Sequence, residues 1–394
     1  MKTTINTTKE YGANIIASTP ITIVKGDNAY VYDDLGRKYI DMATGISSAN
    51  FGHNNPKILE ALFKQVNKIS IVPRLFHNEA LAKLLEKACT LTNMDKAIVM
   101  NSGAEAIETA IKVIRKWGYV KKQIPEDSAE IITFDNSFHG RTITAIGTSS
   151  NPAYKAKFGP MPKGFISIPF NDLEALKKAI TKNTAAIIIE PIQGEGGVVI
   201  PDNEYLHKCQ EICKENNVLF ILDEIQTGMG RTGKNFAKEH YNLDPDGMTL
   251  GKSLGGGVLP ISLFLGKNEV MDVLQPGDHG STFGGNPLAS AIAYKALTIL
   301  EEDYLANNAE LLGDFFVKEL GKINSKYIQE IRAKGLFIAL QIYPEYFDSF
   351  HQELLNLGLL TVKTRNNSIR LLPPLTISKE TISKATKIIK SVDI

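Results

Sequence analysis

The chain has 394 residues, 43% of them hydrophobic, with 44 Lys and Arg against 43 Asp and Glu, a formal net charge of +1. That balance provides no electrostatic footprint for nucleic acid or an anionic membrane surface, and no apolar run approaches the roughly 20 residues of a membrane span. Met1-Lys2-Thr3-Thr4-Ile5-Asn6 lacks the apolar core of a secretory signal, and three cysteines are too few for a disulfide framework, so the expected setting is cytoplasmic.

Along the chain, Ile21–Val24 and Ala29–Tyr32 predict short strands, with Asp33-Asp34-Leu35-Gly36 as a turn. Beyond about residue 55, apolar runs alternate with amphipathic segments. The runs are Ala97–Met100, Ile131–Phe134, Ala186–Ile189, Val218–Leu222 and Ser262–Leu265. Ile107, Ala110, Ile111, Ile114 and Trp117 recur at helical spacing, and such alternation predicts an α/β fold with a mostly parallel, helix-covered sheet. A long helical stretch follows, Leu288 to Leu305. Strand-like Leu336–Leu340, Leu359–Val362 and Ile369–Pro374 come next, and a last helix runs from Lys379 to about Ile389. The expected division is an N-terminal segment, 1–50, packing with the small domain; a large domain, 51–290; and a smaller α+β domain, 291–394. Cys209 and Cys213, four apart on a helical pattern, predict packed thiols rather than half a zinc site, and His53, His77 and His279 lack ligand spacing, so no metal site is expected.

The most informative motif joins a carboxylate to a lysine. Val218–Leu222 runs into Asp223-Glu224, and Lys252 follows inside Gly251-Lys252-Ser253-Leu254-Gly255-Gly256-Gly257. An Asp ending a strand buried on both faces is costly to ionise unless a cation or donors meet it. A lysine crowded by glycines has room for a carbonyl-bearing cofactor. An anion for a ring nitrogen and an amine for a Schiff base are two parts that a pyridoxal 5'-phosphate site requires.

Other motifs each carry two readings. Asn101-Ser102-Gly103-Ala104-Glu105, between a strand and a helix, suits a phosphate at bare helix amides, or an ordinary N-cap with Ser102 and Glu105 as a capping box. Glu190-Pro191-Ile192-Gln193-Gly194-Glu195-Gly196-Gly197 places Glu195 to engage a cation in a cleft, or is a tight strand-to-loop turn. In Phe138-His139-Gly140-Arg141, Phe138 suits stacking on a planar ring or packing in a core, and Arg141 suits a carboxylate or solvent. Arg370, between apolar stretches, reads as interior and in need of an anionic partner, either Glu195 or a substrate carboxylate. His279 to Pro287 is rich in small residues and donors, and either lines a phosphate or is only a loop. Gly228–Gly233 matches the dinucleotide pattern, but Asp223 to Thr227 separate it from the strand and no helix opens after it. Gly251-Lys252-Ser253 lacks the first glycine of a phosphate-binding P-loop, since position 246 is Asp246.

From Tyr11 to about Ile389 the chain resembles the class III aminotransferases, a fold-type I family. The motifs carrying the likeness are Tyr11-Gly12-Ala13, Arg115–Tyr119, Phe158-Gly159-Pro160, Glu190–Gly197, Asp223–Gly228 with Lys252, Pro276–Pro287 and Ile369–Leu375. The resemblance implies that Lys252 forms the Schiff base and shuttles a proton, and that Asp223 pairs with the pyridine nitrogen. Phe138 would stack on the ring, and Gln226 would approach its hydroxyl oxygen. Ser102, Gly103 and Ala104 would hold the phosphate, with Thr282 reaching in from the second subunit of a homodimer. It further implies that Arg370 binds the α-carboxylate of 2-oxoglutarate, Arg141 the distal one, and that Glu195 pairs with Arg370 when the amino donor is bound. The likeness is greatest to members acting on ornithine, with action on N-acetylornithine or 4-aminobutyrate the alternative. Those ornithine-acting members tend to carry tyrosines where Ile16 and Ile46 stand here.

Overall fold

A computed structural model describes residues 3–394. Its centre is a seven-stranded sheet of β1 (Lys96–Met100), β2 (Glu130–Phe134), β3 (Phe165–Ile168), β4 (Thr184–Ile189), β5 (Leu219–Asp223), β6 (Gly247–Leu250) and β7 (Ser262–Gly266), in the order β1-β7-β6-β5-β4-β2-β3. Five neighbouring strands, β6 to β3, run parallel, and β7 is antiparallel to both its neighbours. The continuous apolar runs are explained by burial on two faces. Ile187, Ile189, Phe220 and Leu222 face one core, with helices Glu79–Thr92, Tyr205–Glu215 and Pro287–Glu302. Ala186, Ile188, Leu219 and Ile221 face the other, against helix Gly103–Val120. Parity along each strand decides which core a residue enters.

Two further sheets, each of four strands, flank this layer. In the first, Ile23–Asp27, Tyr30–Asp33 and Lys38–Asp41 form an antiparallel meander, and Leu359–Leu360 adds in parallel beside Lys38–Asp41. The second is antiparallel, from Ile328–Lys334, Phe337–Ile342, Ser368–Leu371 and Val362–Thr364, packed beside helices Leu305–Leu320 and Lys379–Lys390. The long helical stretch expected over Leu288–Leu305 is two helices, Pro287–Glu302 and Leu305–Leu320, because Tyr304 takes a left-handed conformation with φ 50°. Strands Lys38–Asp41, Phe165–Ile168, Gly247–Leu250 and Ile328–Lys334 were not expected from the sequence.

The glycine-rich run Gly228–Gly233 is a structural clamp. It holds Arg231, fully buried, whose guanidinium donates to the carbonyls of Leu336 and Pro373 and to the amide oxygen of Asn50. One side chain thus ties the N-terminal segment to two strand ends of the C-terminal region. Burial, and then the charge of Arg370, pull its pKa down to about 9. Cys209 and Cys213 are buried free thiols, as expected, and burial pushes Cys209 up to about 12. Among the described residues no group of acids, His and Cys is arranged to hold a metal, and no helix is long and apolar enough to cross a membrane.

Candidate active site

The carboxyl ends of the parallel strands open into a cavity of about 210 Å³, where ligands bind in open α/β sheets. Its lining brings together Gly103, Ala104, Phe138, Glu195, Asp223, Gln226 and Lys252 from sequence positions far apart. An adjoining cleft of about 380 Å³ shares Gly103 and Lys252 and adds Ser102. Asp223 arrives as the last residue of β5. Lys252 opens a 3-10 turn directly after β6, in a left-handed conformation with φ 46°. A non-glycine residue in that region is uncommon and strained. Ser253 anchors the turn by donating to the carbonyl of Ser47.

Asp223 is buried and meets three donors. Oδ2 lies 2.7 Å from Nδ1 of His139, and Oδ1 accepts from Thr249 Oγ1 at 3.0 Å and from the Ile225 amide at 3.1 Å. A carboxylate offers about four lone-pair sites, so room for one more donor remains. Burial opposes a charge on His139, yet the hydrogen bond and charge of Asp223, with Glu190 nearby, outweigh it and raise its pKa. Burial pushes Glu190 up to about 7, against the charge of His139 and amides of Phe138 and Gly194 that donate to its carboxylate. The Lys252 amine is brought down to about 8, first by burial and then by the charge of Arg370, against the pull of Asp223, Glu195 and Glu190.

Arg370 is fully buried and donates to Glu195 Oε1 at 2.7 Å and to Gln226 Oε1 at 3.1 Å. The amide of Gln226 is thereby oriented with Nε2 buried and lacking an acceptor. Two glycines make the close packing possible. A Cβ on Gly194 would lie 1.6 Å from Gln226 Oε1, and Gly140, at φ 127°, would press one against Ala104. Ser102 does form the capping box: Glu105 N donates to its Oγ at 3.2 Å and its own amide donates to Glu105 at 2.7 Å. The amides of Gly103 and Ala104, at the head of an 18-residue helix, have no intrahelical acceptor and are open to an anion.

Not every expected residue lies on this cavity. Thr282 is exposed and lines a different cleft, with Asn101 and Phe283. Ile16 and Ile46 are exposed and line neither the cavity nor the adjoining cleft. Arg141 is exposed at the rim, its guanidinium carbon 5.6 Å from the centroid of Phe138. Sequence reading missed His139, Thr249 and Glu190. His139 was signalled only by its place beside Phe138, and Glu190 only as the opening residue of the Glu190–Gly197 motif.

A planar heteroaromatic phosphate ester fits these residues. Asp223 has a vacant acceptor site for a ring N–H, Gln226 a buried donor without a partner, Phe138 a ring on the lining, and Gly103 and Ala104 bare amides for the phosphate.

Residues 11–392 match the family model Aminotransferase class-III. Ornithine aminotransferase 2 of Staphylococcus saprophyticus is 47% identical over 388 residues, 98% of each chain. Among solved structures, an ornithine aminotransferase of Toxoplasma gondii, described with partial occupancy of PLP at its active site, superposes with TM-score 0.95 at 42% identity, over 98% of this chain and 92% of that one. An acetylornithine aminotransferase of Elizabethkingia anophelis superposes with TM-score 0.89 at 40% identity, over 98% and 97%. The chain belongs to the class III aminotransferases. It is a pyridoxal-phosphate-dependent transaminase, and ornithine aminotransferases are among its near-full-length relatives.

Proposed function

We propose that the protein moves the δ-amino group of ornithine to 2-oxoglutarate, giving glutamate and glutamate semialdehyde, which cyclises to pyrroline-5-carboxylate. The observation that carries this reading is the Glu195–Arg370 pair beside Gln226 and the Lys252 cavity. A buried guanidinium held by a carboxylate that is itself partly exposed is a site with two settings. With Glu195 on Arg370, the near end of the pocket is neutral and receives an amine at the end of a chain. When Glu195 swings away, Arg370 grips the α-carboxylate of the keto acid bidentately. The near-full-length likeness to ornithine aminotransferases supports the same donor.

When bound, the cofactor supplies an electrophilic carbonyl carbon and a ring that withdraws electrons from the substrate's reacting carbon. Lys252 would hold it covalently at rest. Once displaced, the Lys252 amine, its pKa brought to about 8 by burial and the Arg370 charge, is suited to take and return a proton near neutral pH. Asp223, oriented by His139 and Thr249, would keep the proton on the ring nitrogen. Gln226 Nε2 would donate to the ring's oxygen, Phe138 would pack on its face, and Ser102, Gly103 and Ala104 would hold the phosphate. Arg141 would take the distal carboxylate.

A homodimer belongs to this reading. Leu75 is 90% exposed, Phe76 62% and Phe283 58%, and apolar surface of that kind favours association. Thr282, next to Phe283, would then reach the neighbouring subunit's phosphate.

A second reading, transfer from N-acetylornithine, rests on the resemblance: isoleucines, which offer no hydrogen bond, stand at positions 16 and 46 where ornithine-acting members tend to carry tyrosines, although both lie off the cavity within one subunit. A donor panel with 2-oxoglutarate separates the two. Ornithine should yield glutamate and a cyclic imine trapped by an aminobenzaldehyde reagent. Turnover of N-acetylornithine with no trapped product from ornithine would select the second reading.

A further inference from the structure

Two guanidinium groups share one aromatic ring at the rim of the cavity. The Arg141 carbon lies 3.9 Å from the centroid of Tyr154, and that of Arg365 lies 5.1 Å from the same centroid. Tyr154 meets Phe138 edge-on, with centroids 6.3 Å apart. The Arg365 amide donates to the carbonyl of Glu195 at 3.2 Å. Phe138 and Glu195 both line the cavity, so Arg365 is held to its rim from two sides.

Two cations on one ring repel each other, and a tyrosine face offers each only a weak attraction in return. Elsewhere Arg370 has Glu195, Arg332 has Glu330 and several oxygens, and Arg231 has three neutral oxygens, although Nε of Arg231 and of Arg370 also lacks an acceptor. Among the described residues, neither Arg141 nor Arg365 forms an ion pair. Nη2 of Arg365 is buried with no acceptor at all. A buried guanidinium N–H without a partner is costly, and a carboxylate is the group whose geometry a guanidinium fork matches.

We propose that Arg365 is a specificity-determining residue. With Arg141 it receives the substrate carboxylate farthest from the reacting carbon, and Tyr154 sets the spacing of the two forks. This rests on the proposed use of 2-oxoglutarate as the amino acceptor and adds to it a residue that neither the motifs nor the family likeness pointed to. The ligand class is a short chain with an anionic far end, such as a five-carbon dicarboxylate.

The test compares the pyridoxamine form of the parent, Arg365→Gln and Arg365→Lys enzymes in single turnovers with 2-oxoglutarate and with pyruvate, which has the same reacting end but no distal carboxylate. The ratio of second-order rate constants, 2-oxoglutarate over pyruvate, should fall about tenfold or more in Arg365→Gln, the scale of one charge-assisted hydrogen bond, and fall less in Arg365→Lys. A ratio within twofold of the parent overturns the assignment, as does an equal loss on both keto acids. Glutarate titrated into the holoenzymes, followed by cofactor absorbance, keeps the two ideas apart. Glutarate bound equally by the parent and Arg365→Gln sinks the distal site. Arg365-dependent glutarate binding in a parent that turns over neither keto acid would support the distal site and overturn the proposed use of 2-oxoglutarate as acceptor.

Discussion

Nδ1 of His139 lies 2.7 Å from Oδ2 of Asp223, both side chains are buried, and Nε2 of the same imidazole has no partner. An ionised carboxylate only accepts, so Nδ1 carries a hydrogen toward it. The pair fixes the face that Asp223 turns to the cavity.

The pH dependence of the apoenzyme follows from this pair. The pKa of His139 is raised above its ordinary 6.5, so the folded chain holds its proton more tightly than the unfolded chain. That stabilisation is present in full below about pH 6.5 and is lost as pH rises through the raised value. Thermal unfolding of the apoenzyme between about pH 6 and 9 should therefore show a falling midpoint, and His139→Gln should flatten that fall. The variant should also retain the cofactor about tenfold less tightly, the loss of one charge-assisted bond to Asp223. Parallel pH curves for the two proteins would remove His139 from this role.

Lys252 titrates in the opposite sense. Burial and Arg370 bring its amine to about 8, so the apoenzyme's Lys252 should acylate with a midpoint near that pH rather than at the roughly 10.4 of a free lysine. Arg370→Gln removes the second cause, and the midpoint should move upward. Peptide mass spectrometry after a brief pulse of an amine-acylating reagent reads both. A midpoint unmoved by the substitution would mean that Arg370 does not act on this amine.

Arg231 should matter for stability. Its guanidinium is the donor to Asn50, Leu336 and Pro373. Arg231→Met is expected to cost about 3 kcal/mol in urea unfolding, since it strands buried oxygens rather than a charge pair. A loss below about 1 kcal/mol would show that water enters and satisfies those oxygens.

What the sequence made legible was set by burial. Val218–Leu222 and Ala186–Ile189 read as central strands because both of their faces are covered, and Asp223 drew notice because a carboxylate ends such a run. Lys252 stood out through its glycines. Gly247–Leu250 was missed because four residues with a glycine and a threonine carry no pattern, although this strand supplies Thr249 to Asp223. Ile328–Lys334 was missed because it lies at a sheet edge with charged residues along it. His139 follows β2, yet its partner ends β5, with β4 between them in the sheet. That contact depends on strand order, which no local window contains. Arg365 has the same history: its meaning comes from Tyr154, which is distant in the chain.

The central claim is that Lys252 is the amine that carries the cofactor. Borohydride reduction of the holoenzyme followed by peptide mapping tests it most directly. The account predicts a single pyridoxyl group, on Lys252, and none after Lys252→Ala. A pyridoxyl group on another lysine, or cofactor lost without any covalent mark, would contradict it.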